Sequence, residues 1–259
     1  LKIPEGCDKH CTYCVIPKVR GSFRSFPIEY LVNQTKKLVE GGVKEIILVA
    51  QETTLYGVDL YGKKSLPKLL HNLGLIEGLE WIRILYCYPE EINDELIEAI
   101  KNEPKVCHYL DMPIQHASDN ILKRMGRRTS KQELTDIVAK LRREIPDIAL
   151  RTTLITGFPG ETDVDHEEVM QFIDECEFDR LGVFTYSREE DTVAAQMPDQ
   201  IDEEIKEKYR DELMQLQQEI SADRSAAMIG RIVRVMIEGF IPEDNTYVGR
   251  SYKDAPIVD

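Results

Sequence analysis

The chain has 259 residues, 42% of them hydrophobic and 31% charged, a balance that supports a buried core and excludes a disordered or collagen-like chain. No apolar run approaches the ~20 residues of a membrane-spanning helix, and no basic-then-apolar leader opens the sequence. Lys and Arg number 33 against 47 Asp and Glu, a net charge of −14, so nucleic-acid binding would need a local basic patch, whereas a basic protein partner suits the overall balance. The sequence opens on Leu1 rather than Met and stops at Asp259 in mid-pattern, which reads as a piece of a longer protein.

Residues 1–4 read as the stub of a first strand, followed by a cysteine-rich loop. A helix enters through Pro27, sets Ile28, Leu31, Val32, Thr35, Leu38 and Val39 on one face, and stops at Gly41-Gly42. The run 44–50 is short and evenly apolar, the pattern of a buried parallel strand, and ends in polar Gln51 to Thr54. Trp81 to Tyr86 predicts the next strand, followed by a helix bearing Leu96, Ile97 and Ile100. Tyr109 to Ile114 is another strand, ending at Gln115-His116. Ser130 and Glu133 form a capping-box pattern ahead of a helix with Leu134, Ile137, Val138 and Leu141 on one face. Ala149 to Ile155 is a strand turned by Gly157 to Gly160. Thr162 caps a helix carrying Val169, Phe172 and Ile173, and Leu181 to Thr185 closes the series.

About six strands separated by helices imply a parallel sheet with right-handed crossovers. Periodicity leaves an open doubly wound sheet and a complete or partial barrel both standing. In either, Gln51, Gln115, the Gly157 turn and Ser187 share one rim with the cysteine loop. Residues 202–229 predict one long charged helix, which packs across the domain or pairs as a coiled coil. Gly230 ends it. Residues 231–238 and 247–250 then read as strands of a small β module.

Of the six cysteines, Cys7, Cys11 and Cys14 crowd together, while Cys87, Cys107 and Cys176 lie in apolar runs where a thiol serves as a small buried side chain. So sparse a set, with no disulfide framework, points to a reducing cytosol. The spacing C-x3-C-x2-C lets one tight loop aim three soft thiolates at one centre. A structural zinc would want a fourth ligand, usually from a second CxxC, and there is none. His10 inside the loop, or distant His108 and His116, keeps a Cys3His site as an alternative. Three thiolates suit a 4Fe–4S cube whose fourth iron stays open to substrate or cofactor.

A C-x3-C-x2-C loop directly after a first strand and ahead of parallel βα units resembles the radical S-adenosylmethionine enzymes. The resemblance implies a partial (βα)6 TIM-like barrel with a 4Fe–4S cluster at its mouth. Cys7, Cys11 and Cys14 would hold the cluster, and S-adenosylmethionine would bind the open iron and yield a 5′-deoxyadenosyl radical. Tyr13 would lie by the adenine, and Gln51, Gln115 and Arg151 would face the cofactor, Arg151 as a fork for its carboxylate. Each of these polar residues also has a plain reading as rim polarity. No acid or base is assigned, and His116 reads equally well as a hydrogen-bonded structural residue.

Within that group, Gly6-Cys7-Asp8, Cys14 to Pro17, Arg20-Gly21, and Arg151 through Leu154 to Thr162 look like the methylthiotransferases. Gln51 to Thr54 with Tyr56 to Asp59, Met112 to Asp119, Leu216 to Ser221, and Gly249-Arg250-Ser251 with Asp254 to Pro256 resemble the branch that modifies an aspartate β-carbon of small-subunit ribosomal protein twelve. The implied reaction uses two S-adenosylmethionine molecules, one as methyl donor and one as radical source, with an external electron donor. The alternatives are the tRNA-adenosine branch and a zinc-stabilised RNA-binding module without catalysis.

The domains then run 1–225 for the radical core and 226–259 for the start of a TRAM barrel. That tail carries Arg231, Arg234, Arg250 and Lys253 against Glu238, Glu243, Asp244, Asp254 and Asp259, too little positive charge for an RNA platform. Lys123-Arg124 with Arg127-Arg128 is the one clear basic patch, either a partner contact or a solvated helix end. Relatives of this type carry an amino-terminal domain with a second cluster. Without it the chain is expected to bind one cluster and S-adenosylmethionine but not to complete methylthiolation.

Overall fold

The computed structural model describes residues 1–256. It opens with a short antiparallel pair, β1 (Pro4–Glu5) with β2 (Arg24–Ser25), enclosing helix α1 (Ile16–Arg20). Helix α2 (Ile28–Glu40) starts at Pro27, buries Ile28, Leu31 and Thr35, and gives way at Gly41 and Gly42, the latter at φ +96°. Strand β3 (Glu45–Leu48), helices α3 (Val58–Tyr61) and α4 (Leu66–Gly74), and strand β4 (Trp81–Ile84) follow. Helix α5 (Asp94–Asn102), strand β5 (Val106–Asp111), and helices α6 (Asp119–Arg124) and α7 (Lys131–Glu144) come next. Strand β6 (Ala149–Thr156), helix α8 (Asp163–Cys176), strand β7 (Arg180–Thr185) and helix α9 (Glu203–Ala226) lead to a hairpin of β8 (Val235–Ile241) and β9 (Thr246–Ser251). Ser130 with Glu133 and Thr162 with Asp165 both close reciprocal capping boxes.

Strands β3-β4-β5-β6-β7 form one all-parallel sheet in sequential order. The opening segment extends it: Lys2 bridges Val49 in parallel, and Ile3 N–H donates to Val49 O at 3.1 Å. A doubly wound sheet reverses its strand order at a switch point. Here the order never reverses, so right-handed crossovers keep the helices on one face and the sheet curls into a partial barrel.

Side chains alternate between two layers. Ile46, Leu48, Ile82, Ile84, Leu150 and Leu154 point outward and merge with Leu31, Leu70, Leu96, Leu134 and Phe172 of the helices in the main core. On the concave side Trp81, Leu85, Cys107, Tyr109 and Ala149 form a smaller cluster, completed by Ala255 and by half-buried Met236 and Tyr252 from the tail. Arg83 lies wholly buried in this layer. Its Nε donates to Glu45 Oε1 at 2.8 Å and its Nη1 to Tyr252 O at 2.6 Å. Arg250 pairs with the same Glu45 and, at 2.6 Å, with Glu238. Lys253 reaches Asp179 at 2.7 Å. The hairpin and the residues after it are therefore tied to the edge of the barrel where the strands begin.

Several details differ from the sequence reading. Strand β2 and helices α1, α3, α4 and α6 are absent from that reading, although Leu66, Leu69, Leu70 and Leu73 of α4 have helical spacing and are all buried. Strand β5 ends at Asp111, and the residues after it keep to β6 through Met112 N–H to Arg151 O at 2.8 Å and a bridge from Gln115 to Leu154. Residues 231–234 are not strand, so the hairpin begins at Val235; residues 257–259 of the expected β module lie outside the described residues. The long helix packs on β7 and α8, burying Tyr209, Leu213 and Ile220, and so spans its own domain. No helix among the described residues is long and apolar enough to cross a membrane.

Candidate metal and cofactor site

The cysteine loop follows β1 at the rim where the parallel strands end. Gly6 makes its first turn at φ +80°, and a Cβ there would meet Ser22 O at 2.2 Å and Gly21 O at 2.5 Å, so only glycine fits. Gly6 N–H donates to Gln51 Oε1 at 3.0 Å, which ties the loop to the end of β3. At its far side Thr12 N–H donates to Met125 O at 2.9 Å and Thr12 Oγ1 to Arg124 O at 2.9 Å. The loop is thus held between the end of β3 and the end of α6.

All three loop thiols are free, with Cys7 buried and Cys11 and Cys14 half-buried. Lys9 N–H donates to Cys7 Sγ at 3.4 Å, and Ile16 N–H donates to Cys14 Sγ at 3.4 Å. Burial raises the Cys7 and Cys14 thiols, so a Lewis-acidic partner is needed to hold them as thiolates. Among the described residues no group of His, Cys, Asp or Glu side chains is gathered round a point where one metal ion would sit. Backbone donors to the sulfurs, as at Cys7 and Cys14, are the usual companions of an iron–sulfur cluster.

Cys7 and Cys14 open onto a cavity of about 470 Å³ lined also by Lys2, Val49, Ala50, Gln51, Tyr86 and Tyr88. A second, of about 390 Å³, meets the other side of Cys7 and is bounded by Asp8, Lys9, Phe23, Glu52, Leu55, Val58 and Asp59. Of the residues singled out in the sequence, Cys7, Cys14 and Gln51 therefore share one cavity wall. Tyr13 instead meets Phe158 edge-on at 6.5 Å, and burial, then the neighbouring Cys11, pushes its phenol well up. Gln115 sits at φ +76° with its buried amide oxygen unpartnered, a vacant acceptor for a polar ligand. Arg151 Nη1 donates to Asp111 Oδ1 at 2.8 Å and to Thr153 Oγ1 at 3.1 Å, so a carboxylate of the chain itself engages its fork.

His116 is buried, accepts from Ser118 N–H at 3.0 Å, and has Nε2 3.3 Å from Glu161 Oε1. Glu161 in turn takes the N–H groups of Gly157 and Phe158 at 2.6 and 3.0 Å. His116 is therefore part of the brace under the Gly157 turn. The basic patch divides. Lys123 and Arg128 are exposed, Arg124 Nε donates to Pro159 O at 2.9 Å, and Arg127 is buried over the Tyr88 ring at 4.2 Å.

Two site residues escape the sequence reading. Glu52 is fully buried beside Cys7, and burial pushes its carboxyl up to about 7. Tyr88 places its Oη 3.5 Å from Cys11 Sγ. Glu52 has a signal in its position one residue past Gln51 at a strand end; Tyr88 has none, being 77 residues from its partner. Cys87, Cys107 and Cys176 are buried, as expected of structural thiols.

Comparison with known proteins agrees with this geometry. A profile of the Radical SAM superfamily matches residues 1–173. The chain is 64% identical over its full length to a "Ribosomal protein uS12 methylthiotransferase RimO" of Lachnoclostridium phytofermentans, covering 59% of that protein. It is 55% identical over its full length to a protein of the same name from Clostridium perfringens, covering 58% of it. It thus spans about six-tenths of the length of the curated relatives it matches. Among solved structures, methylornithine synthase superposes with a TM-score of 0.60 at 12% identity, over 83% of this chain and 60% of the other. Coproporphyrinogen III oxidase from Escherichia coli superposes at 0.59 and 20% identity, over 85% of this chain and 51% of that one, and both share the partial-barrel fold. With the three-thiol loop on the rim of that barrel and the profile matching two thirds of the chain, from the loop through β6, the chain belongs to the radical SAM superfamily.

Proposed function

We propose that the chain is the radical-generating core of a methylthiotransferase acting on ribosomal protein uS12. The observation that supports this most is a loop of three cysteines, two of which, Cys7 and Cys14, face a 470 Å³ cavity, in a chain 64% identical throughout to a uS12 methylthiotransferase. In this reading the three thiols hold one 4Fe–4S cluster, and S-adenosylmethionine occupies the cavity. Bound together, cluster and cofactor supply a 5′-deoxyadenosyl radical able to take hydrogen from an unactivated carbon such as an aspartate β-carbon.

The protein's own part is placement and exclusion of water. Gly6 and Thr12 fix the loop at its two ends. Gln51, with its oxygen committed to Gly6, turns the rest of its amide to the cavity wall. Glu52 Oε2 and the Gln115 amide oxygen are buried without partners, the former on a residue that lines the neighbouring 390 Å³ cavity across Cys7. The Gly157 turn, braced by Glu161, carries Phe158 against Tyr13 and shapes the adenine side.

The finer assignments follow the same reading: a core of residues 1–225, a TRAM-type module beginning at 226, a second cluster on an amino-terminal domain of the full protein, an external one-electron donor, and action in the cytoplasm. The charges of the tail support a protein substrate over RNA. Arg234, Arg250 and Lys253 are spent on Glu80, Glu45 and Asp179, leaving few cations to meet phosphates. The test is intact-mass analysis of uS12 beside nucleoside analysis of total tRNA in cells lacking the full gene. Loss of a methylthio group from uS12 with tRNA unchanged is expected; loss from tRNA alone would move the chain to the tRNA-adenosine branch.

A further inference from the structure

Tyr88 stands at the start of the short turn Pro89–Glu91, and its ring borders both the 470 Å³ cavity and a pocket of about 100 Å³ on the other side of Cys11. Its Oη lies 3.5 Å from Cys11 Sγ. The Arg127 guanidinium sits 4.2 Å from the ring centroid and Lys9 Nζ 5.0 Å from it. Neither cation is loose. Arg127 Nη2 donates to Glu90 Oε2 and to Pro113 O, both at 3.3 Å, and Lys9 pairs with Glu91 at 2.5 Å.

We propose that Tyr88 donates a hydrogen bond to the Cys11 thiolate and, with Arg127 and Lys9 on its ring, raises the reduction potential of the cluster. The inference rests on the assignment of Cys7, Cys11 and Cys14 as cluster ligands. A thiolate has no proton to give, so the phenol is the donor. Electron uptake by a cluster increases the negative charge on its sulfurs, and an O–H aimed at one of them, or a cation behind it, favours the reduced state. At Cys7 and Cys14 the donors are backbone N–H groups of the loop itself. At Cys11 a side chain supplies one from 77 residues away. Tyr88 thus acts on this sulfur without being part of the ligand turn. It is a positioning and tuning residue.

The test is Tyr88→Phe, which keeps the ring and both cation contacts and removes only the hydroxyl. Iron and sulfide per chain are counted after anaerobic reconstitution, and the electron paramagnetic resonance signal of the reduced cluster is titrated against potential. The expected result is wild-type cluster content with a more negative midpoint, so that the reduced fraction at fixed potential falls several-fold. A tenfold fall would equal about 59 mV for a one-electron couple. Arg127→Met should shift the midpoint in the same direction. An unmoved or more positive midpoint in Tyr88→Phe overturns the inference, and so does loss of the cluster, which would make Tyr88 a support of the loop. A wild-type chain that takes up no cluster would instead overturn the ligand assignment beneath it.

Discussion

Glu52 gives the most quantitative test of the site. Its Oε1 accepts from Thr54 N–H at 2.8 Å and from the Thr54 hydroxyl, while buried Oε2 has no partner. Burial, outweighing those bonds, pushes the carboxyl from 4.5 to about 7. A raised value in the folded chain means the folded state holds this proton more tightly than the unfolded state. Stability from this group is therefore intact below pH 4.5, falls as pH rises from 4.5 to about 7, and is level above that. At about 1.4 kcal/mol per pH unit the interval corresponds to about 3 kcal/mol. Glu52→Gln removes the charge and keeps an oxygen for Thr54. In denaturant unfolding of the metal-free chain under reductant, wild type and variant should agree near pH 4.5 and diverge by about 3 kcal/mol at pH 8, with the variant more stable. Other titrating groups act on both proteins and cancel in the difference. Parallel pH profiles, or a variant less stable at pH 8, would refute the assignment of an uncompensated buried carboxylate.

Gly6→Ala forces a Cβ to within 2.2 Å of Ser22 O at a left-handed residue; a cost on the order of 1–3 kcal/mol at the loop should appear as lost iron uptake on reconstitution. Replacing Cys7, Cys11 or Cys14 by Ala should abolish that uptake, whereas Cys176→Ala, at a thiol buried in the main core on helix α8, should leave it intact and cost about 1–2 kcal/mol in unfolding. Arg83→Met strips a fully buried cation from Glu45 and from Tyr252 O, and should destabilise by about 3–5 kcal/mol. Adding Glu45→Gln should then cost much less than it does alone, a coupling that a double-mutant cycle reads directly.

The alternation of parallel strands and helices is legible in the sequence because a strand buried on both faces reads as a short apolar run, as 44–50 does, and because Gly42, Ser130 and Thr162 punctuate the helices by local chemistry. The choice between barrel and open sheet is not legible, since it depends on strand order, and strand order is a matter of crossovers rather than periodicity. Helix α4 was within reach through its Leu66, Leu69, Leu70 and Leu73 spacing, but it spans only nine residues. The loop cysteines and Gln51 could be located from spacing and strand ends. Pairings made across the fold could not. Arg250 meets Glu45 from 205 residues away, Asp111 engages Arg151 across neighbouring strands, and Arg127 leaves the surface only because Tyr88 and Glu90 fold against it. Charge runs such as 123–128 carry no information about which members are buried.

The account stands most directly on anaerobic reconstitution of the chain with iron and sulfide, followed by reduction in the presence of S-adenosylmethionine. It predicts about four irons and four sulfides per chain, and formation of methionine and 5′-deoxyadenosine that disappears when the three loop cysteines are replaced by Ala. A colourless chain that binds zinc in place of iron, or a loaded cluster that leaves S-adenosylmethionine uncleaved under reduction, would contradict it.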